Sequence, residues 1–538
     1  MKQLKNQKLK ILLFSIIWAL FVPVMASAQS EKLENEIEAT MLKATKFMVE
    51  TVSNNGGYVW YYLPDFSRQW GEMEAYKTMI WLQHPGTISM GHLFLDAYRL
   101  TGDEYYYQSA EKAAAAVIWG QSNEGGWNYM VDFAGDKSMK HWYNTIGKNG
   151  WRLEEFQHYY GNSTFDDDIT SDAARFLLRM YLEKFDPKFK PALDKAINFV
   201  LKSQYPMGGW PQRFPLRYDF NKQGHPDYTS FYTFNDDVIW ENIHFLIQCY
   251  LTLGEERFLD PIRRGMDFYL FSMDGCGAWG QQLNLDMETA GARTYEPAAF
   301  LPSTTCENAM LLLKFYQYTG DRRFLVRVPS AIKWLEETEL PEDKQERGRT
   351  HPTFVDPATN KAIYVHRQGS NSKYGFYFID ENDTQLLSHY YGKCTVQLQE
   401  LKDEYAKLAA MSIDEATKDS PLKPGKFEEK GTPQTFYDLN RYNFPFQASD
   451  EMVQQIISEL DQQNRWLSKH AMISHPYIGD GEKQELTKEF ASTRVGDETD
   501  TSPYRDETDQ EYISTGTYIR NMKMLINYLN SISNKQTK

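Results

Sequence analysis

The chain has 538 residues, 41% hydrophobic and 15% aromatic, with a formal net charge of -15. That length exceeds a single ordinary core and predicts one large domain with a smaller region beside it. The acidic balance excludes nucleic acid as a partner, because counterion release needs a basic face; it does not exclude a polyanionic sugar, since a cleft can carry its own arginines or a bound cation.

The chain opens with Lys2, Lys5, Lys8 and Lys10, then an apolar run from Ile11 to Val24, then Ala26-Ser27-Ala28. This is the pattern of a signal peptide over residues 1–28, with a mature chain starting at Gln29 that is secreted or periplasmic. The apolar run is shorter than the roughly 20 residues of a membrane span. No later stretch is apolar enough to cross a bilayer, so no membrane span is expected, and the mature protein reads as a monomer.

Residues 29–410 are organised by an internal repeat. Leu95-Asp96-Ala97-Tyr98 precedes Thr101-Gly102-Asp103, and the pattern returns at Tyr181, Tyr250 and Tyr316, at intervals of 83, 69 and 66 residues. Each copy predicts a helix that ends at or near Gly, a tight turn, and a second helix capped by the acidic residue. The second helices carry apolar stripes such as Ala113, Ala116 and Val117.

A second marker follows these helices. Gly56-Gly57-Tyr58, Gly125-Gly126-Trp127, Gly208-Gly209-Trp210 and Gly277-Ala278-Trp279 are spaced 69, 83 and 69 residues apart. The aromatic of each copy suits either a sugar-stacking face or a plug for the hairpin mouth; recurrence favours the plug for most copies. Repeated hairpins of this length predict an all-α fold, closed into an α/α toroid or stacked as an open solenoid; in a toroid the polar segments entering each hairpin gather at one end.

Three polar segments are the candidates for chemistry. Thr164-Phe165-Asp166-Asp167-Asp168 and Thr233-Phe234-Asn235-Asp236-Asp237 each precede a first helix, so they are expected at the same end of the ring. Together they could hold calcium through carboxylate oxygens, or serve as an acid and base pair for hydrolysis. The third segment is basic, with Arg293, Lys361 and Arg367; guanidinium groups suit two-pronged recognition of carboxylates. Cys249, Cys276, Cys306 and Cys394 have no metal-type spacing and read as core thiols.

Residues 411–538 differ in character and are expected to form a small helical extension. Lys418 to Gly431 reads as a linker, Glu451 to Leu467 as a helix, Asp497 to Asp509 as a solvated acidic loop, and Thr517 to Ile532 as a terminal helix.

Several motifs, in this order, resemble those of polysaccharide lyase family 10, the pectate lyases. They are Tyr205-Pro206-Met207-Gly208-Gly209-Trp210-Pro211-Gln212-Arg213, Thr233-Phe234-Asn235-Asp236-Asp237, Trp279-Gly280-Gln281-Gln282 and Arg293-Thr294-Tyr295-Glu296-Pro297. Phe165-Asp166-Asp167-Asp168-Ile169-Thr170 and the stretch from Asn360 to Gly369 resemble two further motifs, so the likeness covers roughly residues 110 to 392. It implies a toroid that cleaves polygalacturonate by β-elimination with calcium.

By the same resemblance Arg367 is the base and Asp166 a catalytic carboxylate. Asp166 and Asp236 are the metal ligands, and Arg293, Asp167, Trp210, Arg213 and Lys361 contact the substrate. Asp167 stands where the family has Asn, Gln368 where it has Asp, and Thr353 where it has a second arginine, with Arg349 and His351 nearby. Two other classes compete: a glycoside hydrolase using Asp166 and Asp236, and a non-catalytic glycan binder. The arginine pair favours the lyase, since hydrolysis needs no arginine base.

Overall fold

The computed structural model describes residues 31–149, 154–217, 221–222, 225–368, 376–384, 386, 391–423, 433–442, 446–469, 471–473, 505–506 and 510–536. The predicted signal peptide over residues 1–28 and most of the acidic loop after Asp497 lie outside them.

The repeat folds as helical hairpins. In chain order the helices are α1 (31–47), α2 (Thr87–Thr101), α3 (Glu104–Trp119), α4 (Asp136–Thr145), α5 (Ile169–Lys184) and α6 (Lys190–Ser203). They continue with α7 (Val238–Leu253), α8 (Leu259–Phe271), α9 (Pro302–Thr319), α10 (Arg322–Leu325) and α11 (Val328–Thr338). The last are α12 (Leu398–Ala410), α13 (Ile413–Ala416), α14 (Pro433–Asp438), α15 (Asp450–Ser458) and α16 (Thr515–Gln536).

The turn chemistry accounts for the hairpins. Gly102, Gly254 and Gly320 end α2, α7 and α9 in the left-handed conformation, where glycine meets no Cβ penalty. Asp103 and Asp321 then accept from the backbone N–H groups of Tyr105 and Arg323, both at 2.9 Å. Phe185 takes the left-handed position after α5 without a glycine.

The first helices form an inner layer. Every residue of α2 from Thr87 to Ala97 is buried, as is every residue of α5 from Ile169 to Met180. Helices buried on all sides belong between other layers. The inner helices touch in the order α16, α2, α5 and α7, while α9 packs between α8 and α12. Helices α3, α6, α8 and α11 lie outside them with one face buried. This is an α/α toroid-like arrangement of repeated hairpins.

Short β-ladders, absent from the all-helical expectation, tie the rim together. Met79–Trp81 before α2 pairs with Met130–Asp132, and Ser163–Thr164 before α5 pairs with Arg213–Phe214. Tyr232–Thr233 before α7 pairs with Gln282–Leu283. In each case the strand entering an inner helix pairs with the strand that follows the next Gly-Gly-Trp or Gly-Ala-Trp. The loops opening the inner helices are thereby held at one end of the ring.

Much of the described part of residues 411–538 packs into the same core, while Ala471, Ile473 and Tyr512 form a smaller cluster with Trp70. Tyr518, Met522 and Leu525 of α16 are buried in the hydrophobic cluster that contains α2, α5 and α7. Tyr512–Ser514 pairs with Tyr61–Tyr62, and Thr45 Oγ1 meets the Tyr518 hydroxyl at 2.6 Å. The helix expected from Glu451 to Leu467 stops at Ser458, and Leu467–Ser468 is a strand.

Candidate active site

Two acidic turns open α5 and α7 with the same backbone. Asp167 and Asp168 have φ values of 48° and 58°, and Asp236 and Asp237 have 50° and 55°. Consecutive left-handed residues with side chains are sterically costly and gather at functional sites. The two turns pack against each other. Asp167 and Asp236 are therefore equivalent positions of neighbouring repeats, and Asp166 is matched by Asn235.

Asp166 is buried and held from two sides. Its carboxylate accepts from the Tyr129 hydroxyl at 2.5 Å and from Gln212 Nε2 at 2.7 Å. Its charge disfavours that of the nearby Asp236. Asp167 accepts from Gln83 Nε2 at 2.7 Å, and the same amide reaches Glu72 Oε2 at 3.1 Å. Burial, then repulsion from Asp166, holds the Asp167 carboxyl well above the usual carboxylate range. Asp236, on an exposed turn, is also raised, by desolvation of its carboxyl and by the Asp166 and Asp167 charges. Burial and the Glu155 charge push Glu72 up to about 8, and burial raises Glu155.

Arg293 is the cation of this bowl. Its Nε and Nη2 each lie 2.9 Å from Glu296, and Nη1 lies 3.3 Å from Glu155. Gln281 Nε2 holds the other side of Glu296 at 2.8 Å. Its side chain is only 13% exposed, so these are buried contacts and not a solvated surface pair.

The structure thus brings Asp166, Asp167, Asp236 and Arg293 together. The other candidates stand in different surroundings. Trp210 is fully buried and donates to the Val200 carbonyl at 2.9 Å, so its indole plugs the hairpin and has no face for a sugar. Arg213 is buried, 5.3 Å from the Tyr129 ring and 4.4 Å from that of Tyr160, so its guanidinium packs against the ring that holds Asp166. Lys361 is exposed and paired with Glu381 at 3.1 Å, outside these contacts. Arg367 pairs with Tyr377 in the ladder of Ala362–Gln368 with Phe376–Asp380; its side chain lies outside the described residues. The Tyr377 ring is 5.3 Å from that of Tyr295, which lies 5.1 Å from the Arg293 guanidinium, so the strand bearing position 367 is anchored beside the Arg293 loop.

Thr353 is buried and donates to the Tyr391 carbonyl at 2.7 Å, His351 is buried against the Leu335 carbonyl at 2.9 Å, and Arg349 stacks 4.1 Å from the Tyr391 ring.

Glu72, Gln83, Tyr129 and Glu155 were not among the sequence candidates. Tyr129, Gln212 and Gln281 share one signal: each stands two residues after the tryptophan of its repeat, and each points a polar group at a site carboxylate. Glu72 and Glu155 lie in loops that carry no repeat.

The donors are hard oxygens whose charge exceeds that of the nearby arginine, which suits calcium in type and sign. Among the described residues, no three His, Cys, Asp or Glu side chains stand grouped as a metal site. The fit is one of charge and chemistry without a preassembled cage.

A ring of helical hairpins with carboxylates and an arginine at one end is a framework for an enzyme that acts on polysaccharide. The family model described as pectic acid lyase matches residues 121–407, more than half of the chain, and the chain belongs to that family. No curated protein matches it. Among solved structures it is similar to a variant family 10 polysaccharide lyase from Cellvibrio cellulosa in complex with trigalacturonic acid, at 19% identity and a TM-score of 0.35, covering 51% of this chain and 86% of that one. It is also similar to a sugar epimerase from a ruminal bacterium, at 12% identity and a TM-score of 0.40, covering 93% and 98%. A third is cellobiose 2-epimerase from Bacillus thermoamylovorans, at 12% identity and a TM-score of 0.40, covering 94% and 100%. Among the described residues no helix is long and apolar enough to cross a membrane.

Proposed function

We propose that this protein is an exported lyase that cleaves polygalacturonate, or a related uronate-containing glycan, by calcium-assisted β-elimination with Arg367 as the base. The observation that carries the reading is the meeting of Asp166, Asp167 and Asp236 with Arg293 at the mouths of α5 and α7, in a chain of the pectic acid lyase family.

In this reading Arg293 faces the carboxylate of the sugar, its plane fixed by Glu296. Arg367 removes the proton from the carbon next to that carboxylate. The electron pair becomes a double bond to the adjoining ring carbon, and the glycosidic oxygen leaves from there and takes a proton from water. A calcium ion held by Asp236 and Asp166 would supply positive charge to the uronate carboxylate as negative charge develops. Asp166 is kept in position by Tyr129 and Gln212. Positive charge near Arg367 eases loss of its own proton, which a guanidinium otherwise holds with a pKa above about 12.

Arg293 at the bowl favours the lyase over the hydrolase reading, since hydrolysis needs no arginine. The test is cation dependence. Chelation with EGTA should abolish cleavage of oligogalacturonate, and added calcium should restore it. Full activity in excess chelator would remove calcium from the mechanism.

A further inference from the structure

The segment between Phe436 and Tyr442 lies outside the region that matches the pectic acid lyase family, yet it threads the ring from one end of the inner helices to the other. Phe436 is buried under the guanidinium groups of Arg99 and Arg179, at 3.6 and 4.2 Å, near the C-terminal ends of α2 and α5. The Asp438 carbonyl accepts from Gln248 of α7 at 3.1 Å, and Asn440 Nδ2 donates to Asp96 of α2 at 2.8 Å. Tyr442 then stacks on His84 with ring centroids 3.9 Å apart, and its carbonyl accepts from Lys523 of α16.

Arg441 is thereby delivered to the floor of the acidic bowl. Its Nη1 pairs with Asp168 and lies 3.6 Å from Glu241 Oε2, and its Nη2 lies 3.7 Å from Asp237 Oδ2. Asp168 and Asp237 are the second left-handed residues of the two turns; Asp167 and Asp236, the first, face the site. One guanidinium therefore touches both turns at equivalent positions. Arg175, a second cation at this junction, is engaged by Asp172 at 3.3 Å and Glu241 at 2.5 Å. Without Arg441, the Asp168, Asp237 and Glu241 carboxylates would repel one another across the junction of the turns.

We infer that Arg441 is a positioning residue that clamps the two aspartate turns together and so sets the spacing of Asp167 and Asp236 in the bowl. Its role in turnover rests on the lyase reading above. A planar fork offers two separated nitrogens to two carboxylates, whereas an ammonium must reach both from one point at the end of a shorter stem. Arg441→Lys therefore keeps the charge but loses the clamp. A small misplacement of site groups costs up to about a hundredfold in rate.

The test has two arms. In the first, the full-length protein, confirmed to cleave polygalacturonate, is compared with Arg441→Gln and Arg441→Lys. Both should lose about ten- to a hundredfold in kcat with KM changed less than about threefold. Guanidinium ion at low concentration should restore Arg441→Gln in a saturable way that sodium chloride at equal ionic strength does not. Parent kinetics in both variants, or rescue by salt alone, would overturn the inference. In the second arm, crystal structures of the parent and of Arg441→Gln are compared, which decides the clamp even if the parent does not cleave. Turns at Asp167 and Asp236 that separate in the variant support the clamp; turns that superimpose on the parent overturn it.

Discussion

Glu72 carries the clearest charge signature of the bowl. Its carboxyl titrates near 4.5 in a solvated chain and near 8 in the fold, because burial and Glu155 disfavour its charged form. Between those values the fold binds a proton that the unfolded chain has lost. The sign is therefore opposite to that of a salt-bridged carboxylate: the contribution to stability is full below about pH 4.5 and is lost as pH rises through about 8. In chelator, Glu72→Gln should flatten the fall in Tm between about pH 5 and about pH 9 relative to the parent. Added calcium should raise the parent's Tm more at the alkaline end. Parallel pH profiles of the two proteins would remove Glu72 from this balance. Arg367 is tested by turnover. Arg367→Ala and Arg367→Lys should each lose at least about a hundredfold in kcat, with oligogalacturonate affinity changed much less. Near-normal turnover in a folded Arg367→Ala protein would overturn the assignment. Asp166, Asp167, Asp236 and Arg293 were legible in the sequence because acidic helix starts recur and Arg293 sits in a distinctive motif. Glu72 and Glu155 were not, since they reach the bowl from separate loops with no periodic signal.

The hairpin element explains why Trp210 was misread. Gly-Gly-Trp has the same appearance whether its indole meets a sugar or a core. In the fold, Gly56, Gly125, Gly208 and Gly277 all have φ between 88° and 119°. A Cβ on any of them would come within 2.5 Å of the carbonyl oxygen of Lys112, Lys195, Arg264 or Ser330, respectively. The first glycine lets the loop lie on the outer helix, and the tryptophan fills the space beneath. Gly208→Ala should therefore destabilise far more than Gly102→Ala, whose Cβ meets nothing within 4 Å. The first combines strain with a backbone clash; the second carries only the left-handed penalty of about 1 kcal/mol. Trp210→Ala should cost about 3–5 kcal/mol in urea unfolding. Unchanged stability with lost sugar affinity would reinstate Trp210 as a stacking platform. The hairpins were legible because turn glycines, caps and apolar stripes are local features. The rim ladders were not, because two-residue pairings such as Ser163–Thr164 with Arg213–Phe214 join segments from different repeats.

At the scale of the whole molecule, the C-terminal part was the least legible. It has no repeat and reads as an extension, yet α16 packs on α2 and its apolar face enters the shared core. Only burial distinguishes such a segment from an appendage, and burial is a property of the assembled chain. Deletion of residues 411–538 should therefore leave a protein that does not fold cooperatively, as circular dichroism and size-exclusion chromatography would show. A monodisperse, cooperatively melting fragment ending at residue 410 would contradict this. The central claim is the reaction itself, and the most direct measurement is the ultraviolet absorbance of polygalacturonate incubated with the full-length protein and calcium. Elimination leaves a double bond conjugated with the uronate carboxylate, so absorbance should rise in step with new chain ends. New reducing ends without absorbance would make the protein a hydrolase, and neither signal would make it a binder; both results contradict the account.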